Sequence, residues 1–183
     1  MNYRPYKLKY IKKIYKTYMK KKSLHDLKKG EIKDILNSIN NLFGDSISKE
    51  IGNKASFKTT TLDEDIDIIY VNDTNSFIKI GNNFIPSLKL LISLPKEKIP
   101  RKIVIDMGAV PFISKGADVM RPGIKEIDPL IEKDGPVIVV DERHGKPIAV
   151  GIAMYNFTEM NSMKEGKVIK NIHFIGDKIW QGI

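Results

Sequence analysis

The second half of the chain is cut into short apolar runs by glycine, proline and polar loops, and that spacing leaves few folds open. Residues 102–105 (KIVI) and 136–140 (PVIVV) are almost wholly apolar and too short for stable helices. Such runs suit buried strands. Residues 147–154 form another, with Gly151 inside it, where a bulge or bend is expected. Residues 118–120 start a short strand that ends at Pro122-Gly123, and residues 167–174 and 178–180 read as closing strands. Between them, residues 110–114 have room for one or two helical turns before Lys115-Gly116. Residues 141–146 (DERHGK) form a polar hairpin loop, and residues 157–163 suit a short helix capped by Asn156. Many short strands with glycine-rich connections indicate a small barrel over residues 101–183.

The first half is patterned differently. Ile32, Ile35, Leu36, Ile39, Leu42 and Phe43 keep helical spacing, and Gly44 is a natural stop. Residues 47–85 then read as β, with strands at 66–71 and 76–80 separated by Asn72-Asp73-Thr74-Asn75, which is turn chemistry. Gly81-Asn82-Asn83 is a second turn. Pro86 suits the first position of a short helix holding Leu88, Leu90, Leu91 and Leu94. Pro95 and Pro100 bracket residues 96–99, which read as a linker. The expected organisation is a basic segment (1–22), an α+β unit (23–97) and the barrel (101–183). A chain of 183 residues has room for two small domains and a core that needs no disulfide.

Charge is the next constraint. The net charge is +9, and residues 1–22 carry nine basic side chains and no acid, so the rest of the chain balances to zero. Ile11, Ile14, Tyr15, Tyr18 and Met19 make one helical stripe, with Lys9, Lys12, Lys13, Lys16 and Lys20 on the opposite arc. Five of the seven tyrosines lie in this segment. Lysine meeting phosphate and tyrosine stacking on bases would suit RNA, which makes Lys12, Lys13 and Lys16 candidate contacts. Packing of the apolar stripe on the next domain is an equal alternative. A membrane-surface helix is a third reading, weak because Tyr and Ile without Trp or Phe anchor poorly.

Several chemistries are excluded or unsupported. There is no cysteine, so disulfides, Cys-ligated zinc, Fe–S clusters and thiol nucleophiles are out. No apolar run reaches the roughly 18 residues a membrane span needs, and the N-terminus has no signal-like apolar stretch. His25, His144 and His173 lie far apart without metal-ligand spacing. The acidic run Asp63-Glu64-Asp65 with Asp67 reads as a solvated turn before a strand. Neither a phosphate-binding glycine loop nor a nucleophile motif occurs. The expectation is a cytoplasmic, non-catalytic protein without metal or cofactor.

Residues 102–124 read KIVIDMGAVPFISKGADVMRPGI. This strand running into D-x-G-A, then G-A, then P-G-I resembles the start of a PUA domain, the RNA-binding module named from pseudouridine synthases and archaeosine transglycosylases. Gly145-Lys146-Pro147-Ile148-Ala149-Val150-Gly151 is similar to that module's hairpin. Asn171-Ile172-His173-Phe174 with Asp177 and Trp180, and Phe84-Ile85-Pro86-Ser87-Leu88-Lys89-Leu90-Leu91, resemble the malignant T-cell amplified sequence family. The resemblance implies an α+β pre-PUA domain followed by a mixed PUA β-barrel, in a stand-alone archaeal form. It implies RNA (rRNA or tRNA) and the small ribosomal subunit as partners, with a density-regulated-protein-like protein partner as in eukaryotic members. The alternative is a targeting subunit for tRNA or rRNA modification. Residues 1–22 have no counterpart in the family.

Read by themselves, Gly108-Ala109 and Gly116-Ala117 lack bulk, so RNA backbone could come close to the main chain. Amides near Gly108, at the start of the short helix, would favour phosphate. Lys115 and Arg121 flank these small residues, with Met120 and Pro122 beside Arg121. An arginine plane can fork a phosphate or stack on a base. The competing reading is that the glycines serve tight barrel turns. Both cations are expected to be substantially exposed.

Overall fold

The computed structural model describes residues 24–52, 54–63 and 65–182. Lys12, Lys13 and Lys16 lie outside the described residues. Among the described residues, no helix is long and apolar enough to cross a membrane.

The first half forms β1 (His25–Asp26), α1 (Lys29–Phe43), α2 (Ser46–Ile51), β2 (Phe57–Asp63), β3 (Ile66–Val71), β4 (Thr74–Ile80), β5 (Asn83–Pro86) and α3 (Leu88–Ser93). Its five strands make one antiparallel sheet in sequential order. The expected stripe of α1 is seen: Ile35, Ile39 and Phe43 are buried. The helix stops at Gly44, which takes a φ of +71° and donates its N–H to the Asn40 carbonyl. β3 and β4 are joined through Asn72 and Asp73, both at positive φ, between the paired residues Val71 and Thr74. That two-residue turn matches the strand twist and suits Asn and Asp.

The second half forms β6 (Lys102–Ile105), α4 (Val110–Ile113), β7 (Val119–Met120), β8 (Ile124–Ile127), β9 (Pro136–Asp141), β10 (Pro147–Ala153), α5 (Phe157–Ser162), β11 (Lys167–Phe174) and α6 (Lys178–Gln181). Six strands make a mixed sheet in the order β7-β11-β10-β9-β6-β8, with β6 parallel to β9. This is the expected pairing of a separate antiparallel sheet with a nearly closed mixed barrel. The register between β10 and β11 shifts at Val150/Gly151, where the sequence led us to expect a bulge. A Cβ on Gly151 would lie 2.4 Å from Ile169 Cγ2 and 2.6 Å from the Lys170 carbonyl oxygen, so only glycine fits that crossing.

Four local expectations change. Residues 47–51, read as β, are helical within α2, because Ile47 and Ile51 share a helix face and Asp45 pairs with Lys49 at 2.5 Å, one turn on. Pro86 closes β5, and Ser87 caps α3 by accepting the Leu90 N–H. Residues 124–127 form a strand that the sequence reading did not assign. Residues 178–180, read as a strand, are a helical turn capped by Asp177, whose carboxylate accepts the Trp180 N–H at 2.7 Å.

The two sheets share a core. Ile138, Val140 and Val150 of the second sheet are buried in one cluster with Phe77, Leu88 and Leu91, and Val104, Ile152 and Trp180 pack against it. Arg101 ties the halves polarly: Nε donates to the Leu42 carbonyl at 2.6 Å and a terminal nitrogen to the Leu130 carbonyl at 2.8 Å. The Asn75 amide reaches the Ile179 carbonyl at 2.7 Å. Behind α6, fully buried His173 places Nδ1 2.8 Å from Asp177 Oδ2. A second core, around Ile103, Val139 and Val168, fills the barrel itself.

Candidate nucleic-acid interface

The segment from Asp106 to Gly123 crosses one end of the barrel, and β11 holds it in place. Asn171 on β11 clamps the turn after α4, its amide nitrogen donating to the carbonyls of Ile113 and Ala117, each at 3.0 Å. The Asn171 N–H donates in turn to Asp118 at 2.8 Å, and Lys167 pairs with the same carboxylate at 3.0 Å. The backbone hydrogen bond from Asn171, with the Lys167 contact, holds Asp118 below the usual aspartate range, and Lys170 adds to the effect. Asp118 is therefore the local hub of a lysine-bearing surface. Lys115, Lys167 and Lys170 are exposed there, and Lys164 is exposed in the turn before β11. Lys167 pairs across the strands with Met120, and the Arg121 N–H donates to the Gly166 carbonyl, which joins the 164–167 turn to the same face.

Phe112 projects from the four-residue helix α4 with 67% of its surface exposed, and Met120 is 50% exposed. Pro111, Ala117 and Pro122 are exposed as well. The face thus combines small apolar ground with several cations, which fits a polyanion carrying planar bases.

Two expectations need correction. Arg121 is only partly exposed: Nε donates to the Met160 carbonyl at 2.6 Å and a terminal nitrogen to the Ile124 carbonyl at 3.2 Å. Its charge braces α5 against the start of β8, whereas Lys115 makes no ion pair among the described residues. The amides near Gly108 are also engaged. Ala109 donates to Asp106 Oδ1 at 2.8 Å and Met107 to Glu142 Oε1 at 2.9 Å, so carboxylates hold the ground expected for phosphate. Gly116 is small for an internal reason: at a φ of +95°, its added Cβ would lie 2.7 Å from the Phe174 ring. Ala109 packs toward Gly123, where a Cβ would approach its own at 3.1 Å. Gly108 and Ala117 remain at the surface.

Residues 101–175 match the family model described as the PUA domain. A protein of Methanocaldococcus jannaschii, named only as uncharacterized, is 41% identical over 155 residues, covering 84% of this chain and 93% of that one. Translation machinery-associated protein 20 of Saccharomyces cerevisiae is 30% identical over 142 residues, 74% of this chain and 77% of its own length. The chain belongs to that family. A solved hypothetical protein from the archaeon Pyrococcus horikoshii superposes with a TM-score of 0.81 at 37% identity, over 87% of this chain and 99% of its own.

Naming the domain puts the face just described at its first connection, between β6 and β7. Lys164, Lys167 and Lys170 fall outside the motifs, and Asn171 and Phe112 fall inside them without a role that the motif reveals. A four-residue helix is too short for its exposed side to be read from periodicity. In β11 the register shift between Lys167 and Ile169 breaks the simple alternation that would have marked Lys167 and Lys170 as outward.

Proposed function

We propose that the protein is a non-catalytic, cytoplasmic RNA-binding component of the translation machinery that contacts small-subunit rRNA or tRNA through its PUA face. The observation that carries this reading is the exposed pair Lys115 and Lys170 at the clamped 113–118 turn, with Lys164 exposed in the turn before β11, in a chain similar over most of its length to a translation machinery-associated protein. Gly108, Ala117, Met120 and Pro122 form the low ground between the cations, Ala109 and Gly116 let the turn pack closely beneath it, and Arg121 braces it. Lys12, Lys13 and Lys16 would add a second set of phosphate contacts.

The test is the triple reversal Lys115→Glu, Lys164→Glu, Lys170→Glu, which leaves the Lys167–Asp118 pair intact. Surface changes of this kind usually move stability by no more than about 0.5 kcal/mol, so the variant should melt normally. Its affinity for small-subunit rRNA fragments, measured by anisotropy, should fall at least about tenfold, or about 1.4 kcal/mol. Parental affinity in a normally melting variant would remove this face as the RNA site. In the same titrations, a chain lacking residues 1–22 should show a salt slope shallower by roughly 0.7–0.9 per lost phosphate contact.

Phe112 favours a second reading of the same end of the barrel. A phenylalanine 67% exposed beside Pro111 suits protein docking as well as base stacking, and a density-regulated-protein-like partner is the kind the family resemblance implies. Phe112→Asp should abolish capture of such a partner while RNA affinity changes less than about threefold, a shift of well under 1 kcal/mol. An equal loss of RNA binding would return Phe112 to the nucleic acid.

A further inference from the structure

The first half carries a cleft that the RNA reading does not use. It lies between α1, α2 and β2 and has a volume of about 580 Å³. Its floor is apolar: Ile32, Leu36 and Ile51 are half-buried there, and Phe57 is buried at the base. The apolar stripe of α1 is therefore sealed in the core along Ile35 and Ile39, while its edge at Ile32 and Leu36, packed against that core, is left partly open to the cleft.

The rim is cationic, and its cations are unequally committed. Lys49 pairs with Asp45 at 2.5 Å. Lys29 and Lys33, one turn apart on α1, have no carboxylate within 4 Å among the described residues. Of the nearby acids, Glu31 accepts the Lys28 N–H at 2.8 Å and Glu50 pairs with Lys98. The cleft wall also holds Asn40, whose Oδ1 is buried without a hydrogen bond among the described residues. A buried acceptor of this kind costs stability until a donor arrives. Apolar floor, two uncommitted lysines and an orphan acceptor together ask for a ligand with an apolar side, carboxylates and an N–H or O–H donor.

We propose that this cleft docks an acidic amphipathic segment of a partner protein. Apolar side chains lie over Ile32, Leu36 and Ile51, carboxylates meet Lys29 and Lys33, and a polar donor satisfies Asn40 Oδ1. The site is independent of the RNA face, and an RNA backbone would leave the apolar floor unused.

The probe is a fluorescein-labelled amphipathic peptide with leucines at helical spacing flanked by glutamates, titrated into the full chain. The controls are the same peptide with lysines for glutamates, and oligouridylate. The glutamate peptide should shift the Ile32 and Ile51 methyl resonances and bind at least about tenfold more tightly than the lysine peptide. Lys29→Glu with Lys33→Glu should weaken it by a similar factor. Acids suit the first turns of a helix, so this variant should keep its fold. The triple reversal at Lys115, Lys164 and Lys170 should leave peptide binding unchanged, which separates this inference from the RNA reading. Equal affinity for both peptides, absence of binding at millimolar peptide, or oligouridylate shifting the same methyls would overturn it. So would binding seen only after removal of residues 1–22, which would make that segment the occupant.

Discussion

Asp177→Ala is expected to lower the stability of the whole protein by about 3–5 kcal/mol, the range for breaking a buried polar pair from one side. The carboxylate accepts from His173 Nδ1 at 2.8 Å, from the Phe174 N–H at 2.9 Å and from the Trp180 N–H at 2.7 Å. Its loss strands a histidine that has no exposed surface and whose Nε2 is already without a partner among the described residues. It also uncaps α6, which carries the half-buried Trp180, with Lys89 5.6 Å over its ring, and the Ile179 carbonyl that holds Asn75. Burial alone would raise the Asp177 pKa, but the hydrogen bonds from His173 and the two amides outweigh it and hold the group below its ordinary 3.8. A depressed carboxylate stabilises the fold above its unfolded-state value, and that contribution is lost as pH falls through the lower folded value. Urea unfolding at pH 7 and below pH 3.8 should therefore show the gap between parent and variant closing with acid. A gap that is constant across this range would mean that the carboxylate is dispensable and only the side-chain volume matters.

Gly151→Ala should cost about 3 kcal/mol, at the upper end of ordinary overpacking. The added methyl meets Ile169 Cγ2 at 2.4 Å and the Lys170 carbonyl oxygen at 2.6 Å, and the latter is backbone that cannot rotate away. Relief requires β11 to move off β10 at the bulge, where Gly151 faces Asn171 and Val150 faces His173. Both of those β11 side chains hold neighbouring segments, so the shift should loosen the 113–118 turn as well as α6. Amide exchange in those two segments is the measurement. Protection lost only along β10 would contradict the coupling.

The strands were most legible where local chemistry and burial agree. Residues 66–71 and 136–140 carry β-branched runs bounded by turn residues, and the observed β3 and β9 follow them closely. α1 was legible because six apolar residues keep one helical period and Gly44 ends it. Residues 47–51 and 178–180 were misread because such short helices are decided by one carboxylate: Asp45 pairs with the Lys49 side chain one turn on, and Asp177 caps the Trp180 N–H. β8, Ile-Lys-Glu-Ile, has too little pattern to stand out from a loop. At the candidate site, motif and composition single out Lys115 and the small residues, of which Gly108 and Ala117 lie at the surface. The role of Arg121 was not readable, because its partners are the carbonyls of Ile124 and of Met160, the latter far along the chain. The same holds for Asn171, whose contacts are set by which strand lies beside the turn.

The shared core has a consequence for how the chain is made. Phe77, Leu88 and Leu91 are translated well before Ile138, Val140 and Val150, yet all six belong to one buried cluster that Trp180 closes. At roughly 5–20 residues per second, the later half takes on the order of several seconds to emerge. Through that interval the first sheet holds an apolar face open to solvent, and β6 waits for its parallel neighbour β9. Nascent chains of this protein should therefore engage holdase chaperones until synthesis passes α6, and a pause placed between α3 and β9 should raise aggregation more than one placed before α1.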